Sequence, residues 1–329
     1  VAKVTIYDLA RELGLSSSTV SRALDDSELV GDSTRLLVRS AAQRLGYQRR
    51  TVRRPESRSI LTIKLYLPPS RDAYVHLFYD VAELLDGLQR GFGEVRINVL
   101  VCLNDGLDDS FASKKTGTVD GAVFAFTEAD AALYARYESR GVPVVHINRV
   151  QGNRPSVAVD NAVGMETLLR RVALQRPGVK PCFLGFTPVA YTSRQRQTGV
   201  LAAASVLGIA MTTEDCFELE SIASLDGALV RSLVARGYNA VLCFNDLMAV
   251  HVFNRAWREG FEIPRDFALT GFDNAPVLDV AAKRIDTIEF ATGELGWHAG
   301  CWLRERLIER QTRSLNLILA GEYVPGETL

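Results

Sequence analysis

Between Thr5 and Leu45 apolar residues recur at the three-to-four spacing of short amphipathic helices. Ile6, Leu9, Ala10 and Leu13 make one such face. Thr5, with Asp8 three residues on, has the pattern of an N-cap and its acidic N3 partner. Gly14 closes the helix, because it tolerates the left-handed backbone of a tight turn. Leu15 fits the angle between two helices, and Ser16 suits the N-cap of a second helix with Val20, Ala23 and Leu24 turned inward. A third helix is predicted from about Asp32 to Leu45, with Leu36, Leu37, Ala41 and Leu45 as apolar positions and Gly46 as its stop.

From Ile60 the pattern changes. The runs ILTIKLYL, VRINVLVCL, VDGAVFAF, VPVVHIN, SVAVD, PCFLGF, AVLCFND and FALTGFD read as strands. Between and after them lie the amphipathic stretches Leu77–Arg90, Ala129–Arg140, Asn161–Leu174, Arg194–Leu207, Ser224–Ala235, Asp246–Glu259 and Leu295–Glu309. Strands and helices alternating at this spacing build parallel sheets covered on both faces. Eight or more such strands predict two subdomains, with ligand in the cleft at the strand C-terminal ends.

Charge sharpens the picture. Residues 1–58 carry 11 Lys/Arg against 7 Asp/Glu, although the whole chain of 329 residues has a formal net charge of −1. Residues 35–58 alone hold eight arginines and one acid, Glu56. A basic head on an acidic body suits a polyanionic partner at one end. Two short helices joined by a Gly-containing turn, with a third as buttress, form the helix-turn-helix pattern. Its second helix lies in the major groove, and the outward residues here are Ser17, Ser18, Ser21 and Arg22. Short serines approach base edges closely, and Arg22 can fork onto a guanine. The hydroxyls of Thr5, Ser16, Thr19, Ser21 and Thr34 are placed for phosphates. A protein-docking three-helix unit is the alternative reading of the same pattern.

TIYDLARELGLSSSTVSRALD followed by STRLLVRSAAQRLGY resembles the head of the LacI/GalR family of bacterial regulators over about residues 4–47. By that resemblance Ser17, Ser18 and Arg22 stand at base-reading positions and Tyr47 at a backbone-contacting one. The next stretch, GYQRRTVRRPESRSIL, departs from the family. The family usually shows Pro-Asn, then a short helix with Ala-Arg and a leucine wedged into the minor groove. Here Arg49 and Arg50 stand at Pro-Asn, Arg53 and Arg54 replace Ala-Arg, and Glu56 falls near the leucine position. Pro55 confines any helix to the residues before it, and a glutamate cannot act as an apolar wedge. Two readings stay open: the four arginines hold DNA electrostatically, or they form a basic tether.

The rest of the chain is similar to the sugar-sensing body of the same family, through VDGAVF, DNAVG, RQTGV, FNDLMAV and EGFEIPRDFALTGFDN. The resemblance implies a fold of an all-α helix-turn-helix head joined to an α/β periplasmic-binding-protein-like body of two parallel-sheet subdomains. Its divisions fall at 1–47 for the head and 48–59 for the linker. The first effector subdomain takes 60–158 plus about 290–318, and the second 159–289 plus about 319–329. Arg196, Asn245 and Asp273 are implied as effector contacts, and their forked donors, amide and acceptors suit the hydroxyls of a sugar-like polyol. Asn148, Thr192 and Phe126 are secondary candidates. Tyr74, Phe78 and Phe217 are further aromatic faces that core packing explains as well. Asp160 and Asn161 are expected to cap the next helix.

The partners implied are near-palindromic double-stranded operator DNA, a sugar or sugar derivative, and a second copy of the chain, because one head makes too few base contacts for operator-level specificity. No cofactor and no metal are expected: five scattered cysteines lack CxxC spacing and four histidines lack ligand spacing. The opening VAKVTIYDLARELG has no apolar core or cleavage site of a signal peptide, and no long apolar run offers a membrane span, so a cytoplasmic protein is expected. An enzyme is disfavoured by the lack of a phosphate loop, a G-x-S-x-G elbow or a nucleophile–base pair. A transport-type solute-binding protein would share the body but not the head.

Overall fold

A computed structural model describes residues 4–24, 29–45, 47, 60–68, 80–104 and 119–329. The chain divides into a unit covering Val1–Arg53 and another covering Arg54–Leu329. Among the described residues no helix is long and apolar enough to cross a membrane.

The head has α1 (Ile6–Leu13), α2 (Ser17–Leu24) and α3 (Asp32–Arg44). The expected capping box is present: Asp8 N donates to Thr5 Oγ1 at 3.3 Å, and Thr5 N donates to Asp8 Oδ2 at 2.8 Å. Gly14 takes φ +60° and ends α1. Leu9, Val20, Ala23, Val38 and Ala41 form a small core, flanked by Ile6, Leu13, Leu15 and Tyr47. One expectation is corrected. Leu36 and Leu37 are 65% and 53% exposed, and Val38 is fully buried in their place. The inward stripe of α3 is Val38–Ala41–Ala42–Leu45, which keeps the helical spacing but starts one residue after Leu37. The expected stop at Gly46 and the linker arginines Arg49, Arg50, Arg53 and Arg54 lie outside the described residues.

The body contains two parallel sheets. The first is ordered β11-β5-β4-β3-β1-β2, from β1 (Leu61–Leu67), β2 (Ile97–Leu103), β3 (Gly121–Ala125), β4 (Val144–Ile147), β5 (Ser156–Val159) and β11 (Asn316–Leu319). The second is ordered β7-β6-β8-β9, from β6 (Pro181–Phe186), β7 (Cys216–Leu219), β8 (Ala240–Cys243) and β9 (Ala268–Thr270). Central strands such as β3 and β6 are buried along their whole length, as expected where helices cover both faces. Beside β9 the short strand β10 (Thr287–Glu289) pairs antiparallel with β12 (Glu322–Val324). The chain passes between the two lobes after β5, after β10 and after β11, so the lobes share three connections.

The helices are α4 (Val81–Phe92), α5 (Ala131–Ser139), α6 (Asn161–Gln175), α7 (Ala190–Leu207), α8 (Gly227–Ala235), α9 (Asp246–Arg258) and α10 (Thr292–Leu307). Asp160 caps α6 as expected, accepting from Val163 N at 3.0 Å. Helix α7 begins four residues earlier than the pattern predicts, which brings Thr192 onto the helix itself. Helices α4 and α10 approach through glycines. A Cβ built on Gly87 would stand 2.0 Å from the Gly293 carbonyl oxygen, and one on Gly296 would stand 2.5 Å from that of Leu84. Backbone lies against backbone there, so an added methyl forces the helices apart. We expect Gly87→Ala to lower stability by about 1–3 kcal/mol. Thermal denaturation reads this, and an unchanged Tm contradicts the close packing.

Candidate functional site

In the head, α2 carries the predicted contact residues. Ser16 Oγ accepts from Thr19 N at 3.0 Å and shares hydrogen bonds with Ser18 Oγ and Thr19 Oγ1. Ser16 is therefore the N-cap that the sequence suggests, and its hydroxyl is engaged locally. Thr5 likewise donates its hydroxyl to Asp8 Oδ2 at 2.6 Å, so a phosphate would have to compete with that carboxylate. Ser18 and Arg22 are exposed and four residues apart, on one face of α2, with Ser17 and Ser21 half-buried beside them. Thr34, on the first turn of α3, is half-buried. Tyr47 is half-buried against the head core, its amide donating to the Ala42 carbonyl at 2.8 Å.

In the body, α7 carries Arg196 into the interior, where it is 2% exposed. Its Nε donates to Asn161 Oδ1 at 2.9 Å, its Nη1 to the Phe244 carbonyl, and its Nη2 to Asp273 Oδ1 at 2.7 Å. The guanidinium also lies over the Phe272 ring at 3.8 Å and the Phe244 ring at 4.8 Å. A buried charge needs this combination of ion pair, filled donors and ring faces. Burial pushes the Asp273 carboxyl up to about 6, against the pull of Arg196 and Arg149. Asp273 and Asn274 both take left-handed backbone, at φ +106° and +49°. Such conformations cost on the order of 1–3 kcal/mol each and persist only where the surroundings over-determine them.

Asn245 follows β8 and caps α9, its Oδ1 accepting from Met248 N at 3.0 Å. Its Nδ2 makes no hydrogen bond among the described residues. Asn148 follows β4, at φ +56°, and its Oδ1 accepts from Val159 N at 3.5 Å. Thr192 Oγ1 accepts from Arg149 Nη1 at 3.1 Å, and the same nitrogen donates to the Asn148 carbonyl at 2.6 Å. Thus Arg196, Asp273 and Asn161 form one group, with Asn245 next in sequence to the Phe244 carbonyl that Arg196 also meets, and Asn148, Arg149 and Thr192 form another that spans the two lobes. Phe126 packs in the core beneath the first sheet, and Phe217 stacks edge-on against Tyr238. Tyr74 and Phe78 lie outside the described residues.

A cavity of about 240 Å³ opens beside Asp273, between α4 and the turn after β9. Its wall is acidic, with Asp80, Glu83, Asp279 and Glu289 beside Phe290 and Thr292. Arg149, Asn161 and Asp246 are constituents of the junction that sequence reasoning did not assign to it. For Arg149 a signal was available: a charged residue directly after an apolar strand, where parallel sheets hold ligands. Asn161 and Asp246 look like ordinary helix-start residues, and only the fold shows that Asn161 meets Arg196.

Residues 5–50 match the family described as bacterial regulatory proteins, lacI family, and residues 179–329 match a periplasmic binding protein-like domain. The HTH-type transcriptional regulator MalR of Streptomyces coelicolor is 26% identical over 316 residues, covering 92% of this chain and 90% of that protein. Among solved structures, the transcriptional regulator CelR in complex with cellobiose superposes with a TM-score of 0.69 at 22% identity, over 99% of this chain and 100% of that one. The lac repressor dimer bound to operator and the anti-inducer ONPF superposes with a TM-score of 0.65 at 18% identity, over 99% of both chains. At these identities the likeness is one of fold.

Two outcomes follow for the junction. Arg196→Met leaves Asp273 buried without its cation and should cost about 3–5 kcal/mol in urea denaturation; a wild-type midpoint contradicts a structural ion pair. The Asp273 carboxyl has a folded pKa near 6, above its unfolded value. Its protonated form therefore favours the native state, with a contribution complete below about pH 4 and lost as pH rises through 6. Asp273→Asn should flatten the stability profile across that window, and an unchanged slope would show that Asp273 does not titrate there.

Proposed function

The chain belongs to the lacI family of bacterial regulatory proteins, and from that premise we propose that it is a cytoplasmic repressor whose hold on its operator is governed by a sugar-like effector seated between the two lobes of its body. It is a DNA-binding transcriptional regulator and not an enzyme. One observation carries the reading. The same chain presents an exposed Ser18–Arg22 face on α2 of a three-helix head and a buried polar group around Arg196 where two sheets meet.

On the DNA side, Arg22 reads a guanine by its forked donors while Ser17 and Ser18 approach neighbouring base edges. Ser16, Thr19, Ser21, Thr34, Thr5 and Tyr47 fix the head against phosphates. The linker arginines Arg49, Arg50, Arg53 and Arg54 add charge that makes binding steeply salt-dependent. The protein works as a homodimer on a near-palindromic site, since each head reads a half-site.

On the effector side, Asp273 accepts from a ring hydroxyl and the Nδ2 of Asn245 donates to a neighbouring oxygen. Arg196 is already tied to Asn161, Phe244 and Asp273, so its share is mainly to hold Asp273 in place. Asn148, Arg149 and Thr192 close the opposite wall, because they join the first lobe to α7. An effector that prefers one angle between the lobes changes the spacing of two heads, and by linkage the operator then changes effector affinity equally. A transport-type binding protein is not favoured, because it has no use for the head.

Thermal-shift screening of the purified protein against neutral sugars and sugar acids should give a stabilising ligand, and Asp273→Ala should abolish that shift. A ligand that stabilises both proteins alike removes Asp273 from the site. Arg22→Ala should cost about 1–3 kcal/mol at one base position in competition binding. Unchanged sequence preference in that variant means that Arg22 is not a reader.

A further inference from the structure

Asp246 is fully buried at the first residue of α9, yet the helix is capped by its neighbour Asn245. Its bonds lead elsewhere. Its amide donates to the Phe272 carbonyl at 3.0 Å, and its Oδ2 accepts from the Ala275 amide at 2.7 Å. It therefore holds both ends of the turn in which Asp273 and Asn274 take left-handed backbone. Its Oδ1 accepts from the Thr287 hydroxyl at 2.7 Å, at the start of β10, and Asn274 N donates to that same hydroxyl at 3.4 Å. Asp273 N in turn donates to the Ile288 carbonyl of β10 at 2.8 Å. The approach needs Gly271, because a Cβ there would stand 2.0 Å from Asp246 Oδ1.

Strand β10 runs through Phe290 directly into α10, which packs on α4 of the first lobe. We propose that Asp246 is a positioning residue: it fixes Asp273 at the junction of the lobes and, through Thr287, ties that position to the strand that crosses between them. The proposal rests on the reading of Asp273 as an effector contact. Two successive left-handed residues without a glycine stay put only under outside constraint, and bonds to a carboxylate are the strong kind. When the lobes change angle, β10 moves and re-aims Asp273. When a ligand grips Asp273, the pull reaches β10.

The test is ligand-free. Carboxyl-¹³C NMR of the full chain, labelled at aspartate and assigned with Asp273→Asn, follows the titration of Asp273. The titratable and charged groups around it are Arg196 of α7, Arg149 after β4, Asp246 of α9, whose own carboxyl burial pushes up, Glu289 of β10, Asp279 after β9, and Asp80 and Glu83 at the start of α4. All remain in Thr287→Val, which removes the hydroxyl and keeps the shape. Wild type should titrate near pH 6. In Thr287→Val the loosened turn lets the carboxylate reach water, and the midpoint should fall by about one pH unit or more toward an ordinary aspartate. Thr287→Ser restores the hydroxyl and should titrate as wild type. Asp246→Asn leaves one acceptor oxygen where the Ala275 amide and the Thr287 hydroxyl both donate, and should shift the midpoint in the same direction as Thr287→Val; if it fails to fold, the Val and Ser pair carries the test alone. A wild-type midpoint in Thr287→Val, or equal shifts in Val and Ser, overturns the proposal. Sugar stabilisation that survives Asp273→Ala overturns the effector reading instead and leaves the midpoint result standing.

Discussion

A guanidinium held out of water sets the order of the body. Arg196 reaches the junction of the lobes, and its donors go to three separate segments: Asn161 at the start of α6, Phe244 at the end of β8, and Asp273 after β9. Those segments belong to different strand–helix units, and they meet because the charge must be neutralised and its N–H groups filled. Phe272 and Phe244 line the ring faces and keep water away. The same burial that makes the pair structural holds Asp273 near neutrality. A carboxylate poised in this way can change state, or partner, for little free energy.

The second constraint is connectivity. Among the described residues the chain crosses between the lobes three times, and β10 and β12 pair with each other beside β9. Hinges of this kind allow a change of angle without unfolding either sheet, and the groups that bridge them sense it. Arg149 bridges from β4 to Thr192 on α7, while Asp246 and Thr287 bridge α9 to β10. At the opposite end of the chain the head is simple, with a core of eight buried apolar side chains among the described residues and its polar face on α2.

Much of this was legible in the sequence, and what was not has a physical reason. The head is local: each helix is set by caps and spacing within a few residues, so Thr5, Gly14 and Ser16 could be read directly. The misplacement of Leu36 and Leu37 shows the limit, since adjacent apolar residues on a helix leave its rotation ambiguous until a partner selects one. The main parallel strands are continuous apolar runs and stood out, whereas β10, β11 and β12 are three or four residues long and half-exposed in part. Arg196, Asn245 and Asp273 are implied by the resemblance as effector contacts, and the fold pairs Arg196 with Asp273 while Asn245 caps α9. Asp246 and Arg149 were missed because their meaning lies in partners 29 and 43 residues away in sequence.

The proposed repressor couples its grip on DNA to an occupied cleft. Linkage makes that quantitative, because the factor by which sugar changes operator affinity must equal the factor by which operator changes sugar affinity. Fluorescence anisotropy of labelled operator with and without the stabilising sugar gives the first factor, and calorimetry of the sugar with and without operator gives the second. Equal factors well away from one are the predicted result. Two factors of one, with both ligands bound, would contradict the coupling.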